Sequence, residues 1–162
     1  MAIVSLVAGA SITAGEAVII NTSGLALRAQ ADASVFQLAA VAGVAQDTVT
    51  EGQSFRCNVD SVSEVPGGTF TPGTKLYLHP FNDGELVEYD VFASGIEQVV
   101  TGGLYLTQIG TALTETRVAV ELKRPIFINS GASIILMETA SGLVVDAILD
   151  EDGFRIDKED AF

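Results

Sequence analysis

Tryptophan is absent from this chain, cysteine and histidine occur once each, and basic residues are scarce. Each shortage narrows what the protein can do. A single cysteine, Cys57, excludes an intrachain disulfide and argues against a disulfide-stapled secreted domain. Cys57 alternates with Phe55 and Val59 in an apolar register, so a buried thiol is expected there rather than a reactive one. The lone histidine, His79, stands before Pro80 at the end of the run Leu76-Tyr77-Leu78. As a general base it would need a nucleophile and an orienting carboxylate, and nothing in the spacing supplies them. A structural or surface histidine is the expected reading. No glycine-rich phosphate loop, serine-centred elbow or Cys/His metal spacing occurs either. No catalytic residue, cofactor or metal is therefore expected.

Eight basic residues face 21 acidic ones, for a net charge of −13. Such a field repels phosphate backbones and anionic lipid, so neither nucleic acid nor a membrane surface is an expected partner. No apolar run is long enough to span a bilayer. The opening residues 1–10 superficially resemble a signal peptide, but they carry no Lys or Arg, and the apolar run is short for that purpose. A first strand is expected instead. Residues 138–162 hold eight acids and two bases, a net −6 of the whole. A solvated tail and a docking segment are the two readings of that cluster, the first preferred. Within it, Asp150-Glu151-Asp152-Gly153 offers oxygen ligands of the kind calcium takes. It lacks the alternating acids and closing glutamate of a calcium loop, so a charged turn is preferred.

What is present is glycine at turns and short β-branched or aromatic runs between them. The stretch from Thr71 to Val120 shows it best: Thr71-Pro72-Gly73-Thr74-Lys75-Leu76-Tyr77-Leu78, a turn at Asn82-Asp83-Gly84, then Gly103 to Leu113 and Arg117 to Leu122. Residues 2–8 and 17–20 read as strands, and the latter meets Leu25-Ala26-Leu27-Arg28-Ala29 through the turn Asn21-Thr22-Ser23-Gly24. Residues 31–37 admit a loop or one helical turn. Residues 37–46 read as a buried strand in preference to a helix, with Gly43 marking a bulge or the close approach of another backbone. Residues 54–60 alternate strictly, with one wet and one buried face. Residues 86–91 read as strand, followed by a loop to Gly103.

One pattern recurs: Thr, any residue, Gly, polar, any residue, apolar. It occurs at Thr13 to Val18, Thr50 to Phe55 and Thr71 to Leu76. Each predicts a tight turn with positive φ at glycine feeding a strand. Beyond Pro125 the composition shifts, and two or three further strands are expected among residues 126–162. These are too few to bury a core alone. The expected architecture is all-β: a compact β-barrel or sandwich-like domain of short antiparallel strands over residues 1–125, with a C-terminal β-rich extension and acidic tail over 126–162.

The order of these pieces resembles the capsid cement (decoration) proteins of tailed bacteriophages. The residues that carry the likeness are Ala14-Gly15-Glu16-Ala17-Val18-Ile19-Ile20, the Ser-Gly hairpin, Ala31-Asp32-Ala33, Val41-Ala42-Gly43-Val44-Ala45, the Glu51-Gly52-Gln53 turn, Thr71 to Leu78, and Gln108-Ile109-Gly110-Thr111-Ala112-Leu113. The likeness covers about residues 1–125. It implies a virion structural protein without an active site, made in the host cytoplasm and seated on the outer surface of the head. There it would bridge neighbouring major capsid subunits, commonly as a homotrimer. The candidate interface residues are Ile3, Val4 and Leu6 of the first strand, and Phe127, Ile135, Leu136 and Phe154 of the extension, with core packing the preferred reading of each. The rival reading is a β module of a tail fibre or other appendage with receptor or carbohydrate affinity.

Overall fold

The computed structural model describes residues 2–31, 35–96, 104–128, 133–139, 142–149 and 155–156. In chain order the strands are β1 (Ile3–Val7), β2 (Ala17–Ile20), β3 (Ala26–Arg28), β4 (Gly43–Ala45), β5 (Ser54–Asn58), β6 (Val62–Glu64), β7 (Lys75–Leu78) and β8 (Leu86–Glu88). There follow β9 (Leu104–Leu106), β10 (Gln108–Ala112), β11 (Arg117–Val120), β12 (Ile126–Ile128), β13 (Ser133–Thr139), β14 (Gly142–Leu149) and β15 (Arg155–Ile156). Two short helices interrupt them, α1 (Phe36–Ala39) between β3 and β4 and α2 (Tyr89–Ile96) after β8.

Two five-stranded antiparallel sheets form the body, in the orders β1-β5-β4-β2-β3 and β6-β11-β10-β7-β8. Between them lies a core of Ala17, Ile19, Val44, Leu76, Leu78, Ile109, Val118 and Val120. Each sheet also buries part of its other face. Val18, Ala45, Phe55 and Cys57 turn away from the sandwich and pack with Ala8, Ile12 and Ala26. Tyr77 and Val87 turn outward from the second sheet and pack with Phe92, Leu104, Leu106 and Ile128. Burial on both faces is why Ala17-Val18-Ile19 and Leu76-Tyr77-Leu78 are unbroken apolar runs rather than alternating ones. Each large aliphatic side chain buried here contributes about 1.5–3 kcal/mol.

The chain is thus all-β and sandwich-like. The first sheet curls until its two edges touch at one parallel bridge, Ala8 to Ala26, and no closed barrel forms among the described residues. The hairpin joining β7 to β8 ties the sheets together: the Ala17 N–H donates to the Gly84 carbonyl (2.8 Å), and the Gly84 N–H donates to the Ala29 carbonyl (2.9 Å). β12 pairs with β9, Phe127 opposite Tyr105, forming a separate two-stranded ribbon. β13, β14 and β15 form a three-stranded antiparallel sheet.

The three recurrent turns share one construction. Gly15, Gly52 and Gly73 have φ of 93°, 83° and 89°. At the first, the Thr13 N–H donates to the Glu16 carboxylate (2.8 Å) while the Glu16 N–H returns to the Thr13 carbonyl (3.1 Å). At the second, the Thr50 N–H donates to the Gln53 side-chain oxygen (2.9 Å) and the Gln53 N–H to the Thr50 carbonyl (3.2 Å). At the third, the Thr74 hydroxyl reaches back to the Thr71 carbonyl (2.7 Å) and leaves the Thr71 N–H to another group. The Glu88 carboxylate takes the Thr71 N–H instead, and that bond is the main reason its pKa is lowered. The pattern predicted from sequence is therefore a reciprocally locked turn.

Two expectations fail. Residues 37–46 are not one strand: α1 occupies Phe36–Ala39, and only Gly43–Ala45 are extended. Residues 86–91 are not one strand either, since β8 stops at Glu88 and α2 begins at Tyr89. Burial decides the second case. A helical turn puts Phe92 into the outer cluster beside Tyr77, at 6.0 Å between ring centroids, and leaves Val91 exposed.

Candidate interaction surfaces

The β9–β12 ribbon carries an aromatic patch. Its register sets Phe127 directly across from Tyr105, with ring centroids 5.2 Å apart. Tyr105 in turn meets Phe36 of α1 edge-on at 5.9 Å, and the Arg124 guanidinium lies 5.6 Å from the centre of the Phe36 ring. The ribbon is anchored from beneath by Leu104, Leu106 and Ile128. The Tyr105 N–H also donates to the Ala31 carbonyl (2.7 Å), and the buried Thr107 hydroxyl to the Ala39 carbonyl (3.1 Å). Tyr105 is nearly buried, whereas Phe127 is 49% exposed and Phe36, Ile126 and Val35 are also exposed. Large rings and an arginine held rigidly at the surface are the composition of an interface centre rather than of a solvated face.

The second surface is the β1 edge. β1 pairs with β5 on one side, Ile3 opposite Asn58 through Val7 opposite Ser54. Ile3 is 53% exposed, and Val4 and Val7 are each 39% exposed. Leu6 differs, packing against the cluster of Phe55 and Cys57.

His79 Nδ1 accepts the N–H groups of Phe81 (3.1 Å) and Asn82 (3.0 Å), which holds the turn between β7 and β8. Burial pushes the Cys57 thiol up to about 11, which disfavours the thiolate. No group of three His, Cys, Asp or Glu residues among those described could hold a metal ion. No helix among the described residues is long and apolar enough to cross a membrane. A groove of about 820 Å³ runs between residues 13–16, 65–70 and 81–91. Its carboxylates are already engaged: Glu16 by Thr13, Asp83 by Gln30, Glu85 by Asn82 and Glu88 by Thr71.

No family model, curated protein or solved structure matches this chain.

Of the residues expected at an interface, Ile3, Val4 and Phe127 are exposed, on two different sheets that do not bring them together in one ladder. Ile135 and Leu136 lie on β13, where the description is of backbone alone, and Phe154 lies outside the described residues. The acidic run at 150–153 is outside them as well. Phe36, Tyr105 and Arg124 escaped the sequence reading. Tyr105 faces Phe127 only through a pairing of strands twenty residues apart, which no local pattern announces.

One ion pair fixes the loop beside β5. Arg56 donates to Asp47 through Nη2 (2.6 Å), Nε (3.1 Å) and its own N–H (2.9 Å). These bonds, the side-chain ones first, lower the Asp47 pKa from 3.8 to about 2. Because the folded value is the lower one, the contribution is complete above the ordinary carboxylate range and is lost as pH falls through about 2. An NMR titration of the Asp47 carboxyl is expected to show its midpoint near that value, and Arg56→Ala to return it toward 3.8.

Proposed function

We propose that this chain is a virion structural protein that binds the outside of a bacteriophage head and bridges neighbouring major capsid subunits, as a homotrimer. The observation that carries the reading is the aromatic row in which the exposed rings of Phe36 and Phe127 flank the buried Tyr105 on a braced β ribbon. The order of glycine turns and strands adds the resemblance to head cement proteins. The physics fits a clamp: a ligand that binds only the assembled shell stabilises it by mass action, in proportion to how many sites are filled. A rigid sandwich with locked turns loses little conformational freedom on docking.

The patch gives the test. Phe127→Ala removes the most exposed ring while leaving Ile128 and Leu104 in place. It is expected to weaken binding to heads stripped of this protein by roughly thirtyfold, the size of a hot-spot truncation of about 2 kcal/mol. Unchanged affinity would remove the patch from the contact.

The groove favours a second reading, an appendage module with carbohydrate affinity, because Phe81 stands exposed at its rim among polar side chains. Saturable binding of a glycan that Phe81→Ala abolishes would support it.

A further inference from the structure

We infer that the groove beside β8 takes a short, extended, basic peptide of another protein, which adds to the free edge of β8 as a further strand. β8 is an outer strand of the second sheet, with β7 on one side only. The hydrogen bonds of the hairpin fix which of its groups are free. The His79 N–H donates to the Glu85 carbonyl (2.8 Å), and the register runs on through Leu78 opposite Leu86 and Tyr77 opposite Val87. Glu85 and Val87 therefore direct their backbone groups toward β7, while Leu86 and Glu88 direct theirs away from it. On β7 the Leu78 N–H goes to the Thr107 carbonyl on the far side (3.0 Å), as this alternation requires. Gly84 also faces outward and is already bonded to Ala17 and Ala29 of the first sheet. Past it the pairing stops. No partner is found among the described residues for the Leu86 N–H and C=O or for the Glu88 N–H, and Leu86, Val87 and Glu88 line the groove.

The groove fits such a segment in size, rigidity and charge. Its volume of about 820 Å³ lies within the range of ligand sites, roughly 300–1,000 Å³. The other walls are the locked turn at 13–16 and the loop at 65–70, braced against each other so closely that a Cβ on Gly15 would stand 2.9 Å from the Val65 Cα. A site held open in this way costs little to organise on binding. Four carboxylates line it, those of Glu16, Asp83, Glu85 and Glu88, against one guanidinium, that of Arg28. The hydrogen bonds that hold the four carboxylates come from neutral donors, and no ion pair reaches any of them among the described residues. Their charge is therefore fixed in place and left for a cation. Phe81, 41% exposed at the rim, offers a ring face on which a guanidinium can stack. Strand addition supplies affinity through main-chain bonds and specificity through side chains, here basic ones. A neutral glycan leaves both the strand edge and the carboxylates unmatched.

The test uses the isolated full chain and does not depend on the head-surface reading. An NMR titration with a blocked pentapeptide of alternating arginine and valine should saturate. On binding, the amides of Leu86 and Glu88 should become protected from hydrogen exchange, whereas that of Val87, already bonded to β7, should change little. Asp83→Asn with Glu85→Gln removes two charges and keeps oxygens to accept from Gln30 and Asn82, so the fold should be unaltered and the peptide should bind about tenfold more weakly. Two further peptides, N-methylated on the arginines or on the valines, test the main-chain bonds. At least one of them should lose about tenfold or more in affinity, because it can no longer donate to the edge. The glutamate–valine counterpart should not bind. No saturable binding, unprotected Leu86 and Glu88 amides, full affinity in the charge variant, full affinity of both methylated peptides, or equal binding of the acidic peptide would each overturn the inference. A glycan that binds in the groove where the basic peptide does not would overturn it too, and would leave the groove to the appendage reading.

Discussion

Phe92→Ala is expected to lower the stability of the folded chain by about 3–5 kcal/mol, the cost of deleting a large buried ring. Phe92 is fully buried and closes the outer face of the second sheet with Tyr77, Val87, Leu104, Leu106 and Ile128. Its removal leaves a cavity lined by rigid strands, which cannot collapse far because β7 and β8 are held from behind by Leu76, Leu78 and Leu86. It also takes away the ring that fastens α2 to the sheet. At 2–4 °C per kcal/mol for a chain of this size, the melting midpoint should drop by roughly 10 °C. Phe81→Ala serves as the control, since that ring is 41% exposed, and it should change stability by less than about 0.5 kcal/mol. A Phe92→Ala protein within 1 kcal/mol of wild type would mean that the third cluster is not part of the cooperative core.

Gly43→Ala is expected to cost about 3 kcal/mol, at the upper end for overpacking. A Cβ at this position would stand 2.4 Å from the Cys57 sulfur and 2.6 Å from the Asn58 carbonyl oxygen. One of these neighbours is backbone, so no rotamer change relieves the clash, and β4 and β5 would have to part. Denaturant unfolding of Gly43→Ala alone and with Cys57→Ala separates the two contributions. The double variant should recover the sulfur clash and keep the carbonyl one, leaving it still less stable than Cys57→Ala by itself. Equal stability of those two proteins would contradict the close approach of β4 to β5.

Gly43 also shows how far the sequence speaks for itself. A glycine between Ala42 and Val44 in a run of small residues marks a backbone contact, and that contact exists. The recurrent Thr-x-Gly turns were legible for a related reason: a positive φ admits few residues, and the polar group three places on from threonine has a local job. The helices were not legible. Residues 86–91 offer apolar groups at spacings that suit a strand as well as a helix. What ends β8 is Glu88, which is drawn to Thr71 and Thr74 seventeen and fourteen residues away. Residues 37–46 are rich in alanine, which favours helix, yet only one turn forms before Gly43 is pressed against β5. In both places a distant contact outweighs local preference.

The candidate surfaces divide in the same way. β1 could be read as an apolar strand, and Ile3 and Val4 are exposed on it as an interface requires. The same apolar character allowed core packing for all three residues of β1 and did not say that Leu6 alone would take it. Phe127 could be named from its place after Pro125, but the Phe36–Tyr105–Phe127 row exists only once β12 has paired with β9.

The clamp reading is tested most directly by a cryo-electron microscopy reconstruction of the intact particle that carries this protein. The reading predicts density for the double sheet on the outside of the head, repeated hundreds of times over the lattice, with the Phe127 ribbon against the capsid subunits. Its absence from the head surface, or only a handful of copies confined to the tail, would contradict it.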